Sequence, residues 1–259
     1  MSKKAIAVIS FGTTYPKARL AIERIENRLK EAFPEYDFYR AFTSKMVINK
    51  IEREENIQIH TPEELMQKLL DDGYEEVLCQ SLHIMAGFEY EKMLHQLYKF
   101  EDKFQKLSIG VPMLFSEYDY EHICTELLQH MPKLNQDEAY VYMGHGTEHF
   151  ANSVYSQVEN MFRFLGAENV YVGTVEGFPN LDYVIKRLNK HNIKKVTLAP
   201  FMIVAGDHAQ NDLAGDEEDS WKSILQSQGY KTNVNLIGLG DLDCVCDLFF
   251  RHAKMALKG

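Results

Sequence analysis

Several features that define common protein classes are missing from this chain of 259 residues. No run of about 18 apolar residues occurs, so the sequence predicts no membrane-spanning helix. The start, MSKKAIAVIS, lacks the apolar core and cleavage site of a signal peptide, and the four cysteines show no C-x-x-C spacing. These absences predict a protein of the reducing cytoplasm, with no disulfide framework and no membrane partner.

Positive charge is also scarce. The chain has 28 Lys and Arg against 38 Asp and Glu, a formal net charge of −10, and the basic residues form no run. Because proteins bind nucleic acid phosphates with clustered cations, we expect no nucleic-acid partner. Any anionic ligand must therefore meet a local basic patch.

Three motifs that bind nucleotides or supply a nucleophile are absent as well. The chain has no G-x-x-x-x-G-K-[ST] loop, no G-x-G-x-x-G turn and no G-x-S-x-G turn. The sequence therefore gives no support for ATP-driven work, for a dinucleotide cofactor or for a serine hydrolase.

Short β-branched runs alternate with longer amphipathic runs in both halves of the chain. The apolar runs are AIAVISF, YDFYRAF and EEVLCQSLHI in the first half, and EAYVYMGHGT, NVYVGTVEG and KKVTLAPFMIVAGD in the second. The predicted helices cover residues 15–32, 44–53, 61–72 and 180–190, with another ending at Phe164. This order predicts an α/β fold whose parallel strands are covered by helices on both faces. His83 falls inside the third run, and we expect it in the core.

Three segments of the first half match three of the second half in the same order. The matches are Ser10–Thr13 with Gly144–Thr147, YDFYRAFTS with ENVYVGTVE, and Ile84–Glu89 with Ile203–His208. Ordered matches of this kind favour the duplication of one structural unit.

We therefore predict two domains, residues 1–131 and 136–240, joined through the polar, proline-containing stretch MPKLNQ. A last helix, within residues 241–259, has apolar residues on one side. We expect it to pack back on the first domain.

Side chains that can bind metals stand where three strands of the second half are predicted to end. His145, Glu176 and His208 each follow an apolar run and have glycines close by. Ligands of parallel sheets bind beyond the carboxyl ends of the strands, so these three residues are expected at one edge. Two imidazoles and a carboxylate suit a borderline divalent metal and leave positions for substrate. Structural roles stay open: a hydrogen-bonded imidazole, a turn at His208 and an exposed loop carboxylate.

Glu89 is the residue of the first half that matches His208 in the internal alignment. One interpretation is that its carboxylate faces the same site. The other is that it is an acid in the first turn of a helix, where it favours the helix dipole. The sequence does not choose between them.

Five stretches spread over nearly the whole chain resemble one known family. They are VISFGTTYP, RAFTSKMVI, QSLHIMAGFEYEKM, MGHGTEH and, above all, PFMIVAGDHAQNDLAGDEEDSW. They resemble the single-subunit class II chelatases, most closely the anaerobic cobalt chelatases. The resemblance implies two doubly wound parallel-sheet domains with a tetrapyrrole held in a cleft. It also implies ATP-independent insertion of Co²⁺ into sirohydrochlorin, or a closely related ring, in anaerobic cobalamin biosynthesis.

The same resemblance implies roles for particular residues. His145 binds metal and accepts pyrrole protons, His208 and Glu176 complete the metal site, and Glu89 assists as a second catalytic group. Since sirohydrochlorin carries many carboxylates, Arg40, Lys45 and Lys92 are candidate cations for it. We expect further substrate contacts at Ser10, Phe11, Gly12, Thr13, Met85, Ala86, Gly87 and Phe88.

The expected partners are thus a tetrapyrrole and a divalent metal, with no cofactor beyond the Co²⁺ substrate, and a homo-oligomer is compatible with the sequence. Two alternatives stay open. One is a ferrochelatase or nickel chelatase acting on a related ring, because ligand type alone does not select the ion. The other is a carrier that binds tetrapyrrole or metal without turnover.

Overall fold

A computed structural model describes residues 2–258, which divide into two compact α/β units. The first unit holds the residues up to Phe115 and those from Gly240 onward, and the second holds Ser116–Leu239. In chain order the elements are β1 (Lys4–Ser10), α1 (Pro16–Ala32), β2 (Asp37–Phe42), α2 (Lys45–Glu55), α3 (Pro62–Asp71), β3 (Glu76–Ser81), α4 (Phe88–Tyr98), β4 (Lys106–Gly110), α5 (Glu117–His130), β5 (Glu138–Gly146), α6 (Ser153–Phe164), β6 (Val170–Glu176), α7 (Leu181–Lys190), β7 (Lys195–Pro200), α8 (Trp221–Ser227), β8 (Lys231–Val234) and α9 (Asp243–Ala256). Short 3-10 turns lie at Glu101–Lys103, Phe150–Asn152 and Leu239–Asp241, and a π-helical turn at Ala209–Leu213. Among residues 2–258, each helix is too short or too polar to cross a membrane.

The first unit is built on a parallel sheet with the strand order β2-β1-β3-β4. Alternate residues of β1, namely Ala5, Ala7 and Ile9, share a buried cluster with side chains of α3 and α4. Successive strand residues face opposite sides of a sheet, so the residues between them face the other helices. There α1 contacts β1, and α9 contacts β3 and β4. The predicted layering of helices on both faces is confirmed for this unit.

The second unit repeats this plan with the strand order β6-β5-β7-β8. Ala139, Val141 and Met143 of β5 pack with apolar side chains of α7 and α8. Helix α6 contacts β6 and is itself packed against α5. The two sheets therefore have the doubly wound parallel organisation that was predicted.

The strand pairing of the two sheets agrees with the internal match found in the sequence. Strands β1 and β5 are central and equivalent, as are β2 with β6 and β3 with β7. Ser10 pairs with Phe42 in the first sheet, as Gly144 pairs with Thr174 in the second. Ile9 pairs with Ser81 in the first sheet, as Met143 pairs with Pro200 in the second. Each of these correspondences follows the spacing of the matched segments, which is what a duplicated unit requires.

The division between the units lies at Phe115 and Ser116, ahead of the predicted connector at residues 131–136. Helix α5 groups with the second unit because it packs on α6, where the Cys124 thiol lies 3.7 Å from the carbonyl oxygen of Val158. The connector only leads from α5 into β5. Polar and proline residues mark a loop in the sequence, but they do not reveal which sheet the preceding helix covers.

The last helix, α9, groups with the first unit and contacts α1. Ion pairs join Arg24 to Asp243 at 2.6 Å and Arg28 to Asp247 at 2.8 Å along this contact. The chain therefore returns to the first unit after completing the second sheet.

Two strands are shorter than their apolar runs suggested. Strand β3 ends at Ser81 and β7 at Pro200, and the residues that follow form loops although they continue the apolar runs. The placement of His83 inside a strand is thus wrong. His83 lies in the loop after β3, where its Nδ1 is 2.9 Å from the Ser81 hydroxyl, and burial lowers its pKa to about 4.

Candidate metal centre

His145 lies between two glycines for which no larger residue fits. The ring of Tyr155 occupies the space beside Gly144, where an added Cβ would lie 2.1 Å from a ring carbon. Gly146 has a φ of +83°, and an added Cβ would lie 1.5 Å from the carbonyl oxygen of Glu176. Positive φ and close backbone approach are the conditions that require glycine. The imidazole is therefore the side chain that this strand end presents.

Tyr155, which the sequence did not single out, supports the backbone beneath His145. Its buried hydroxyl oxygen accepts a hydrogen bond from the backbone N–H of Gly146 at 3.4 Å. Burial raises the pKa of Tyr155 to about 12, so the hydroxyl stays protonated at neutral pH. No motif in the sequence indicates this contact, since it depends on how α6 packs on β5.

His145 and His208 are brought together by the fold of the second unit. Their ring centroids are 4.5 Å apart and the ring planes are nearly perpendicular, at 89°. His145 is still within β5, whereas His208 lies beyond the end of β7 and directly precedes the π-helical turn Ala209–Leu213. The loop after β7 thus carries the second imidazole back to the first.

Both imidazoles are fixed through their Nδ1 atoms. Nδ1 of His145 is 2.8 Å from the carbonyl oxygen of Gly146, and Nδ1 of His208 is 2.5 Å from a carboxylate oxygen of Asp212. Since both partners are acceptors, each Nδ1 donates its hydrogen, which leaves the lone pair of the neutral ring on Nε2. This is the tautomer that binds a metal through Nε2.

Glu176, the last residue of β6, pairs with Gly146 across the two strands. Its carboxylate is well exposed, and one oxygen lies 3.9 Å from Nδ1 of His145. Asn152 links the loops after the two strands, because its side chain accepts from the N–H of Thr147 at 3.0 Å and donates to the carbonyl of Phe178. The three predicted ligands are therefore neighbours on a braced strand edge.

These neighbours do not form a closed cage. Within residues 2–258, no group of three or more His, Cys, Asp and Glu side chains is already disposed around one ion. The carboxylate of Glu176 approaches the Nδ1 side of His145, whereas the lone pair is on Nε2, so a side-chain rotation separates this arrangement from a three-ligand site. The metal-binding roles of His145, Glu176 and His208 stay predictions.

Glu89, the fourth predicted catalytic or metal residue, belongs to the first unit. It lies in the first turn of α4, and its carboxylate is 3.3 Å from Nζ of Lys92. Nζ of Lys92 also donates to the carbonyl of Thr43 at 3.0 Å. The ammonium group of Lys92 thus already has two contacts within the protein, but its side chain is 43% exposed and can bind an anion.

The two predicted substrate loops differ in what they expose. Ser10, the last residue of β1, and Thr13, in the loop after it, have buried side chains, and Gly12 has a φ of +92° against the ring of Phe42. Phe11 is the exposed side chain of that loop. The loop before α4 has Met85 and Ala86 half-buried, Gly87 buried at the helix start, and Phe88 59% exposed.

Arg40, a predicted substrate cation, is already paired with acids of the protein. Its guanidinium forms a paired contact with the buried carboxylate of Glu26 and a further bond to Glu23 at 3.3 Å. Arg40 lies in the middle of β2 and its side chain faces α1. The acids that pair with it there are side chains of the protein itself. Lys45, the first residue of α2, is exposed and remains a candidate.

The fold places the protein in a class. A solved structure of SirB from Bacillus subtilis with Fe³⁺ is 14% identical, with a TM-score of 0.66 over 98% of this chain and 95% of the other. The structure of CbiX, described as the terminal enzyme for biosynthesis of siroheme in denitrifying bacteria, is 15% identical, with a TM-score of 0.57 over 98% of this chain and 99% of the other. The chain therefore has the two-domain α/β chelatase fold.

The sequence comparisons are more specific. Residues 4–258 match the model of the cobalt chelatase (CbiK) family. A sirohydrochlorin cobaltochelatase of Salmonella typhimurium is 40% identical over 99% of this chain and 97% of its own. The sirohydrochlorin cobaltochelatase CbiKC of Nitratidesulfovibrio vulgaris is 31% identical over 100% of this chain and 92% of its own. The chain belongs to the cobalt chelatase (CbiK) family, which confirms the resemblance seen in the sequence.

Proposed function

We propose that this protein inserts Co²⁺ into sirohydrochlorin, or a closely related ring, without ATP and without a resident cofactor. The observation that carries the proposal is the pair of perpendicular imidazoles, 4.5 Å apart, with both Nδ1 atoms engaged. Membership of the cobalt chelatase family, and the names of the two relatives, support the choice of ion and ring.

The ion is a substrate that must be held and then released. We propose that Nε2 of His145, Nε2 of His208 and the carboxylate of Glu176 replace part of its hydration shell. Imidazole and carboxylate ligands suit a borderline divalent ion, whereas a set of thiolates would hold it more tightly. An incomplete ligand set also keeps positions open for the four pyrrole nitrogens that take the ion over.

Insertion displaces two protons from the pyrrole nitrogens, so the reaction needs a base. Imidazole is the side chain that ordinarily titrates near neutral pH, which suits proton transfer in both directions. We assign this role to His145, with Glu89 as the assisting carboxylate. Glu89→Gln tests the assistance, because a loss of turnover with unchanged stability supports proton transfer. A loss of stability with normal turnover supports the alternative role at the start of α4.

The ring itself offers flat apolar faces and peripheral carboxylates. We propose that the exposed rings of Phe11 and Phe88 contact the macrocycle, and that Lys45 and Lys92 meet its carboxylates. We also propose that the protein acts in the reducing cytoplasm, since the spacing of its four cysteines predicts no disulfide framework.

The deciding experiment follows the absorbance of sirohydrochlorin under anaerobic conditions after addition of Co²⁺, with Fe²⁺ and Ni²⁺ in parallel. We expect the wild-type protein to metallate the ring and His145→Ala to lose turnover with its fold intact by circular dichroism. His130→Ala, the same change at an exposed histidine of the same unit, is the control and should behave as wild type. Near-normal turnover of His145→Ala would remove the base assignment.

The same assay separates the alternatives. Faster metallation with Fe²⁺ or Ni²⁺ than with Co²⁺ would favour a chelatase for another ion. Saturable binding of sirohydrochlorin with no metallation by any of the three ions would favour a carrier.

A further inference from the structure

We propose that Asp212 is the positioning residue that holds His208 in its metal-binding orientation, an inference that rests on the proposed function. The carboxylate oxygen of Asp212 lies 2.5 Å from Nδ1 of His208. Both side chains are partly exposed, Asp212 to 42% and His208 to 34%. Nothing in the sequence pattern separates Asp212 from the other acids of the segment AGDHAQNDLAGDEED.

The backbone that brings the two side chains together is a single π-helical turn, Ala209–Leu213, directly after His208. Single turns of this kind are wider than α-helical ones and recur at functional sites. Ala209 and Leu213 are completely buried at the two ends of the turn. Apolar packing therefore anchors the turn, and we expect it to survive the loss of the Asp212 side chain.

The hydrogen bond decides which nitrogen of His208 is available. While Asp212 accepts from Nδ1, the hydrogen stays on Nδ1 and the lone pair stays on Nε2. The negative charge also strengthens the ring as a donor, as carboxylates paired with metal-bound histidines do. Without Asp212 the ring is able to turn, and the hydrogen to move to Nε2, which blocks that atom as a ligand.

His145 differs in a way that makes Asp212 the informative target. Nδ1 of His145 bonds to the backbone carbonyl of Gly146 at 2.8 Å, which no side-chain substitution removes. At His208 the acceptor for Nδ1 is a side chain, the carboxylate of Asp212. The neighbouring acid Asp207 is turned elsewhere, since its carboxylate accepts from the side-chain amide of Asn211 at 3.0 Å. The orientation of His208 is therefore assigned to Asp212 among the acids beside it.

The test is titration of the metal-free protein with CoCl₂ by calorimetry, without tetrapyrrole. We expect Asp212→Ala to weaken Co²⁺ binding by about 10- to 100-fold, the usual effect of removing such a partner. Asp212→Asn keeps an acceptor for Nδ1 but loses the charge, so its loss should be smaller yet measurable. The control is Asp216→Ala, which removes a carboxylate that is 99% exposed and paired with Lys222, and should bind as wild type.

A second measurement reports orientation rather than stability. In ¹⁵N-histidine NMR spectra of the metal-free protein, His208 of the wild type and of Asp212→Asn should carry its hydrogen on Nδ1. In Asp212→Ala it should shift toward the form with hydrogen on Nε2. In the metal assay, KM for Co²⁺ should rise in Asp212→Ala while KM for the ring stays unchanged.

The outcomes distinguish this inference from the proposed metal site. If His208→Ala loses Co²⁺ affinity but Asp212→Ala binds as wild type and keeps the Nδ1 hydrogen, the role of Asp212 is overturned alone. If His208→Ala also binds as wild type, the metal site and the role of Asp212 are overturned together. Should Asp212→Ala misfold by circular dichroism, Asp212→Asn decides, and wild-type affinity in that variant overturns the inference.

Discussion

Replacing Gly146 by alanine tests the strand edge that carries His145, and the chain contains a matched control. Gly146 has a φ of +83°, and an added Cβ would lie 1.5 Å from the carbonyl oxygen of Glu176. Gly166 has a φ of +85°, and an added Cβ there meets nothing within 4 Å. The two substitutions therefore share the same backbone strain, and they differ in steric overlap.

The difference in overlap sets the expected magnitude. Placing an L-residue in the left-handed region lowers the unfolding free energy by about 1–2 kcal/mol. This is the whole effect expected for Gly166→Ala. Gly146→Ala adds a clash with the backbone of β6, and forced packing costs about 1–3 kcal/mol more. The clash is with backbone rather than with a flexible side chain, so β5 and β6 must move apart locally. Co²⁺ affinity should therefore fall as well, since Glu176 shifts away from His145.

The assay is urea unfolding followed by tryptophan fluorescence. Trp221 is the single tryptophan of the chain, lies in the second unit with both glycines, and packs in its core against Gly173 of β6. Its emission therefore reports the stability of that unit. Equal unfolding free energies for Gly146→Ala and Gly166→Ala would refute the claim that the strand edge has no room for a side chain.

Three further predictions concern the side chains of His83, Arg40 and Tyr155. The pKa of His83 is lowered by burial from 6.5 to about 4, so as the pH falls the unfolded chain takes up that proton first. The unfolding free energy of the wild type should then drop between these two pH values, relative to His83→Gln, in urea titrations followed by circular dichroism; parallel pH profiles would contradict this. Arg40→Met leaves the buried carboxylate of Glu26 without its guanidinium partner and should cost about 3–5 kcal/mol with KM for the ring unchanged, whereas normal stability with a raised KM would support Arg40 as a substrate contact. Tyr155→Phe removes the oxygen that accepts from the N–H of Gly146, next to His145, and should cost about 1–3 kcal/mol, with faster hydrogen exchange at that amide; unchanged exchange would speak against this support.

Local sequence patterns were enough to predict the doubly wound sheets and their duplication. Helix and strand periods are set by neighbouring residues, so the alternation along the chain indicated the layers. The matched segments carried the register too, because the paired residues Ser10 and Phe42 correspond to Gly144 and Thr174. The expectation that His145, Glu176 and His208 are neighbours also came from the sequence, since the carboxyl ends of adjacent parallel strands share one edge.

The fine geometry of the site depends on contacts that the sequence does not reveal. Some join residues far apart in the chain, and others involve residues that no sequence motif distinguishes. Tyr155 supports the backbone next to His145 because α6 packs on β5, and Arg40 is already paired with a buried acid because Glu26 lies opposite it on α1. Asp212 reaches His208 because the chain after β7 forms a helical turn, which brings residues four positions apart together.

The sequence by itself therefore determined the layers through short-range periodicity, and the repeated register through segments matched between the two halves. It also indicated the sheet edge near which the predicted metal ligands lie, because the carboxyl ends of parallel strands share one edge. Tertiary structure alone decided which charges are already neutralised and which nitrogen of each imidazole carries the hydrogen. Those properties depend on hydrogen-bond partners that packing brings within about 3 Å, a distance on which spacing along the chain has no bearing.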